Sequence, residues 1–456
     1  MKRVAGLCLA LAASPAFADA TLLAEETRGA LEPYDEHTLR IEGVRGEIAV
    51  RPADTEMLRF ASMSPGERGE DPPLALWSEG GRLILRAPEG ESARPRTLWV
   101  AVPDGLSVEI AVDQSKVVVA GLEGRLDVEG RALDLSTSRI ADDVVVRMEG
   151  GTAKLQGGGG NLSLEARDAA VTVSGPAGSL DAEVEESTLE IRNCSEVVRV
   201  EAEGGTVTIR EARGGAELQL RGASLTLESV GGIVRIETDG DVTLADNTAQ
   251  LRLESWGGSI DGARFDGALD LKLEGGVAKL ATLAAASRIE ANDAEVDVVN
   301  VAEPLEVVLW GSRLGVTNAG GPLKIEAEGG AVTVADPKST VEITARNADV
   351  AVSGAKGAVQ VVADSANVTV AWTSLPPEAN SRIVNSGGDV TVSIPAGQGC
   401  WLTGRARRGW IESQHPEIRI GDDGSQASGS IGRRRRPTLD LDAEGSLYIL
   451  SGTRAR

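Results

Sequence analysis

The residues best suited to chemistry in this chain are carboxylates that recur at a fixed interval. Glu165, Glu183 and Glu201 stand 18 residues apart, and Glu237 and Glu254 continue the series. Stacked carboxylates can hold a calcium ion, or supply an acid and a base for glycoside cleavage. Beside them runs a second series, Arg199, Arg235, Arg252, Arg288 and Lys324. Like charges ~4.8 Å apart in water repel by roughly 1 kcal/mol, and neighbouring arginines relieve that without a metal. The nonapeptide of glycines and aspartates found in calcium-binding β-rolls does not occur. The expectation is ion-paired surface columns, with no metal, no cofactor and no catalytic residue.

Other chemistry is thinly represented. Only two histidines occur, His37 and His415, so a histidine general base or metal site is not expected, and both read as surface residues. Gly157–Gly160 has the glycines of a phosphate-cradling loop but no following Lys-Ser/Thr or helix, and reads as a turn. Cys194 reads as a small buried hydrophobe, and no bridge to the distant Cys400 is expected. Trp256 and Trp310 hold the same place in a repeat, three coils or ~14 Å apart on one edge. Exposed aromatics in a row suit stacking against sugar rings or a protein partner; the other reading is cover for a bend. From Trp401 to Arg456 there are ten arginines against seven carboxylates, including Arg405, Arg407, Arg408 and the run Arg433, Arg434, Arg435 and Arg436. That run could grip lipopolysaccharide phosphates or an acidic polymer, or be a solvated turn.

What must position these residues is the repeat itself. Each coil is numbered from its first inward residue, beginning with Val108, Leu126 and Val144 and ending with Val359. Positions 1, 3, 5, 10, 12 and 15 are then apolar or small, and the rest polar. One residue is lost, between Thr238 and Val242. Period-two alternation within positions 1–5 and 10–12 makes both runs strands. Position 7 is usually Gly, Asp or Asn (Gly150, Asp168, Gly204, Asn347), which predicts a left-handed bend. Position 17 is rich in glycine (Gly124, Gly160, Gly178, Gly214, Gly232, Gly267, Gly321, Gly357) and is expected to make a second bend of the same kind.

Equivalent strands one coil apart must stack in parallel. The fold class is therefore all-β: a single-stranded right-handed parallel β-helix (β-solenoid), about 18 residues per coil, with irregular end caps. Right-handed winding follows from the handedness of parallel crossovers. A left-handed hexapeptide helix would need apolar residues at positions 1, 7 and 13, where one coil has Val198, Gly204 and Arg210.

The divisions read as a signal peptide at 1–18, N-terminal starter coils and cap at 19–107, the regular array at 108–375, and C-terminal irregular coils and cap at 376–456. The leader has Lys2 and Arg3, an apolar run from Val4 to Ala13, and Ala16-Phe17-Ala18 before the cut. Net charge is −23 and aromatics are 3% against 55 glycines. That balance argues for no nucleic-acid partner, and no later segment is long and apolar enough to span a bilayer.

The stretch Leu98–Gly124 (LWVAVPDGLSVEIAVDQSKVVVAGLEG) has a strand, Val-Pro, strand and glycine cadence. Ser428–Ser451 (SGSIGRRRRPTLDLDAEGSLYILS) has a glycine-rich turn before a closing strand. In both, the chain resembles the bacterial adhesin-type family of exported β-strand-repeat proteins. The resemblance implies a β-solenoid at the envelope or cell surface, in the periplasm or outside, and carries over no catalytic residue. The expected function is that of a non-enzymatic adhesin-like or envelope scaffold protein, with a surface glycan, a matrix protein or an envelope component as partner. The alternative is a polysaccharide lyase or hydrolase, which β-helices often host. Such enzymes wall a groove with insertions on one face, and coil length here hardly varies.

Overall fold

The structure, a computed structural model, describes residues 21–26, 28–31, 37–63, 74–87, 95–395, 398–432 and 437–452. The expected leader at 1–18 lies outside them. Every element assigned among the described residues is a strand, and none of them forms a helix long and apolar enough to cross a membrane. The chain divides into two compact units, Met1–Glu190 and Ile191–Arg456.

In the first unit the repeat stacks as expected. Val108 pairs with Leu126, Leu126 with Val144, Val144 with Leu162 and Leu162 with Leu180, all in parallel ladders. Before the regular array the coils do not follow chain order. Thr38–Glu42 lies between Arg82–Arg86 and Ser107–Ala111, parallel to both. Gly46–Pro52 lies likewise between Arg96–Val102 and Lys116–Ala120. Leu74–Glu79 and Leu58–Met63 then pair antiparallel on the outer edges, followed by Thr21–Glu26 and Arg28–Leu31, also antiparallel. Starter coils stacked in sequence are therefore replaced by one inserted coil under two antiparallel layers. The physical reason is the exposed ladder: a parallel stack ends in a row of unpaired N–H and C=O groups, and reversed strands cover it.

The second unit has the same repeat. Val207 pairs with Leu225, and Val198 with Ala216, in two separate parallel ladders. The lost residue appears where expected, since Leu225 pairs with Val242 while Ala216 still pairs with Val234. Past Val370 the coil lengthens, and Gln360 pairs with Arg382. The same out-of-order device then returns. Thr438–Ala443 stacks on Ser381–Asn385 on one edge and on Cys400–Ala406 on the other. Leu447–Gly452 sits likewise between Val390–Pro395 and Ile411–Ser413. Gln426–Ile431 closes the outside in the antiparallel sense.

The core is a thin aliphatic column, as the alternation requires. Val198, Val200, Ala202, Val207, Ile209 and Ala212 are all 6% exposed or less. Position 7 bends left-handed in coil after coil, at Gly150 (φ 72°), Asp168 (51°), Gly204 (69°) and Asn347 (51°). Position 17 does not. Of its glycines only Gly232 has a positive φ; the second bend is at position 14, at Gly121, Arg139, Asn193, Asn300 and Asn318. Position 17 is glycine for another reason. A Cβ on Gly124 would stand 2.6 Å from the Leu106 carbonyl oxygen, and Gly214, Gly267, Gly321 and Gly357 meet the main chain of Glu196, Ala249, Glu303 and Ser339 in the same way. At these glycines the third side packs backbone on backbone, and a side chain would have to enter the main chain of the coil before.

Candidate binding edge

Trp256 and Trp310 are placed by strand alternation. Position 5 points inward, so Ser255 and Leu309 are each 1% exposed; position 6 must then point out. Trp256 is 47% exposed and Trp310 43%. Ser255 pairs with Leu273, which sets Trp256 opposite Glu274; Glu274 pairs with Asn292, and Asn292 with Trp310. The corner thus reads Trp256, Glu274, Asn292, Trp310, one residue per coil.

This corner is stiff. Main-chain N–H groups of Gly275, Asp293 and Gly311 donate to the carbonyls of Asn292, Trp310 and Glu328, each at 2.8 Å. Two buried serines fix the bends beside the indoles. The Ser255 hydroxyl donates to the Gly257 carbonyl at 2.8 Å, and the Ser312 hydroxyl to the Trp310 carbonyl at 2.9 Å. Ser312 also accepts the Ala294 N–H at 3.0 Å. Sequence reasoning missed these serines; the signal was a small polar residue where the period calls for an inward or bend position. Ser115 and Ser187 share position 8 with Ser312 and donate to the Asp113 and Glu185 carbonyls at 2.8 and 2.7 Å.

Elsewhere the sixth position carries charge. In the first unit Arg131 pairs with Glu149 at 2.9 Å, and Arg167 pairs with Glu185. In the second, Glu328, Arg346 and Asp364 follow one another in register. The tryptophans interrupt an alternating ladder of charges.

Of the expected carboxylate series, Glu254 pairs with the basic series and Glu165 with Arg147 of its own series, and other outward carboxylates are paired as well. Glu254 meets Arg252 at 2.7 Å, Glu290 meets Arg288 at 2.6 Å, and Lys324 bridges Glu306 at 2.9 Å and Glu326 at 3.3 Å. Arg199 reaches Glu217 at 3.7 Å and Arg147 reaches Glu165 at 3.5 Å. The hydrogen bond from Lys324 holds the Glu306 carboxyl below its ordinary range, and hydrogen bonds to Glu254 and Glu290 raise Arg252 and Arg288. Among the described residues, no group of three or more His, Cys, Asp or Glu could hold a metal ion.

The remaining candidates are spread out. Arg433, Arg434, Arg435 and Arg436 lie outside the described residues. Of the arginines near them, Arg407 is tied to Asp442 at 2.7 Å and Arg408 to Glu444 at 3.0 Å, which removes two charges from the basic surface expected there. His415 is not a surface residue: it is 6% exposed and its Nε2 lies 3.2 Å from the Leu450 carbonyl oxygen. The inserted strand Leu447–Gly452 covers it, and nothing in the local sequence announces that neighbour. Cys194 and Cys400 are buried and free, each thiol pushed up to about 11 by burial.

No protein-family model, curated protein or solved structure matches the chain. Of the resemblance carried by Leu98–Gly124 and Ser428–Ser451, the fold is supported, by the parallel ladders of a β-solenoid.

Proposed function

We propose that this chain is an exported, non-enzymatic solenoid of adhesin-like or envelope-scaffold type, which presents a rigid corner to a surface glycan, a matrix protein or an envelope component. The observation that carries the reading is the pair of half-exposed tryptophans held in line where charged residues otherwise stand. Apolar surface left open on a stiff scaffold marks an interaction site. The carboxylates that an alternative lyase or hydrolase would draw on recur with the coil period, and Glu254, Glu290 and Glu306 sit in ion pairs with Arg252, Arg288 and Lys324. Export rests on the basic and apolar pattern of residues 1–18.

The test is a glycan and matrix-protein binding screen of the chain from Asp19 onward, run beside the W256A/W310A double variant. Binding that needs both indoles is the expected result; equal binding by the two proteins ends the edge reading. Protease accessibility on intact cells decides the location, since a chain at the outer surface is cut and one in the periplasm is spared. A chain recovered only from the cytoplasm ends the export reading.

A further inference from the structure

We infer that the Trp256–Trp310 corner takes a neutral polysaccharide chain of three-fold screw symmetry, laid along the stack; this deepens the edge reading above and rests on it. The two indoles are three coils apart, ~14 Å, with Glu274 and Asn292 at the two places between. An extended chain of pyranose rings advances about one strand spacing (~4.8 Å) per sugar, so the indoles address residues n and n+3. In a two-fold ribbon those residues turn opposite faces to the protein. In a three-fold chain they turn the same face, so two indoles at equivalent places on the stack meet it in the same way.

The ground between the rings fits that occupant. A side chain at Gly257 or Gly275 would meet nothing within 4 Å, so bare bends leave the approach to the indoles open. The polar groups at the intervening places are the Glu274 carboxylate, with Lys272 at 3.6 Å, and the Asn292 carboxamide. Such groups accept and donate hydrogen bonds to sugar hydroxyls. The carboxylates of Glu274, Asp293 and Glu328 also disfavour a polyanion, so uronates and phosphorylated or sulfated chains should bind less well. A single cationic group is a poor alternative, because the indoles are too far apart to close on it together. The serine-pinned bends mean that little order has to be gained on binding.

The experiment is titration calorimetry of the full chain with four probes. They are xylohexaose (neutral, three-fold), cellohexaose (neutral, two-fold), an oligogalacturonate (three-fold, anionic) and oligolysine. Variants are Trp256→Ala, Trp310→Ala, and a double change, Asn292→Trp with Trp310→Ala, that keeps two indoles but brings them one coil closer. Xylohexaose should bind best, each alanine should weaken it roughly three- to tenfold, and the shifted pair should do no better than Trp310→Ala alone. Unchanged melting of the variants shows that the loss is not unfolding. Cellohexaose binding as tightly as xylohexaose, or full recovery with the shifted pair, overturns the three-fold inference and leaves the edge reading standing. Tryptophan-dependent binding of oligolysine without either neutral hexaose overturns the neutral-glycan inference. Binding of every probe unaffected by the alanines, or no binding at all, overturns the inference; only indole-independence in the wider screen also overturns the edge reading.

Discussion

Replacing Gly262 with alanine should destabilise the second unit, although a glycine inside a strand ordinarily invites that change. Gly262 occupies inward position 12, where its ladder partners are Leu244 and Leu280. The space it leaves is taken by the ring of Phe265, 2% exposed. A Cβ at 262 would lie 2.7 Å from the ring's Cε2 and 3.1 Å from Leu280 Cδ2. The ring is confined by Asn247 and Leu283, its partners on either side. Backbone entropy alone favours alanine by ~0.5–1 kcal/mol, while overpacking a filled interior costs ~1–3 kcal/mol. The second effect should win, for a net loss on the order of 1 kcal/mol. Phe265→Leu alone should cost on the order of 1–2 kcal/mol through the space it opens. The double variant should be little worse than Phe265→Leu, giving a coupling of at least ~1 kcal/mol. Urea unfolding with an unchanged m-value measures each step. A Gly262→Ala protein as stable as the native chain, or two effects that add within ~0.5 kcal/mol, would refute the packing argument.

Three further outcomes follow from other features. Burial raises the Glu42 carboxyl, but hydrogen bonds from Arg40 and Arg86 outweigh it and hold the group below its ordinary range. Its contribution is thus complete above the unfolded carboxylate value of ~4.3 and is lost as pH falls through the lower folded value. Glu42→Gln should cost about 1 kcal/mol or less at neutral pH, and the gap should close in acid; a gap that widens on acidification contradicts the assignment. Cys194 and Cys400, their thiols pushed up to about 11 by burial, should resist iodoacetamide in the native chain at neutral pH and label fully in urea, read by mass spectrometry. Labelling at the rate of a free thiol would contradict their burial. Removing residues 437–456 should bare the edges of Ser381–Asn385 and Val390–Pro395, with loss of hydrogen-exchange protection across both; unchanged protection would contradict the inserted coil.

The regular array was legible because one rule, burial of every second residue, repeats with every coil. Val207 beside Leu225 and the slip before Val242 were both readable from it. The glycines at position 17 were visible and their cause was not. Composition cannot separate a glycine needed for its φ from one needed for its lack of a side chain, and only the stacked main chain of Leu106 against Gly124 decides. The true second bend escaped notice because position 14 accepts Arg139, Glu211 and Thr282 in a left-handed conformation, residue types that give no such signal. The ends were opaque for a different reason. Their pairing is non-local and not periodic, so nothing near Thr438 tells that it lies between two earlier strands. At the corner, Trp256 and Trp310 were placed correctly by counting alone, whereas Ser255 and Ser312 act through hydrogen bonds that counting does not register.

The out-of-order coils have a consequence for how the chain reaches this state. Within each regular array a strand finds its partner 18 residues away, as from Val198 to Ala216, so growth can proceed like a zip. Thr38 must instead wait for Ser107, and Lys116 for its ion pair with Glu47, 69 residues apart. The added loop-closure cost is only about 1 kcal/mol, but it falls before any contact rewards it, which slows the search. Each unit should therefore assemble its regular array early and fasten its out-of-order coils late, and any kinetic trap should hold a finished array whose latch is still open.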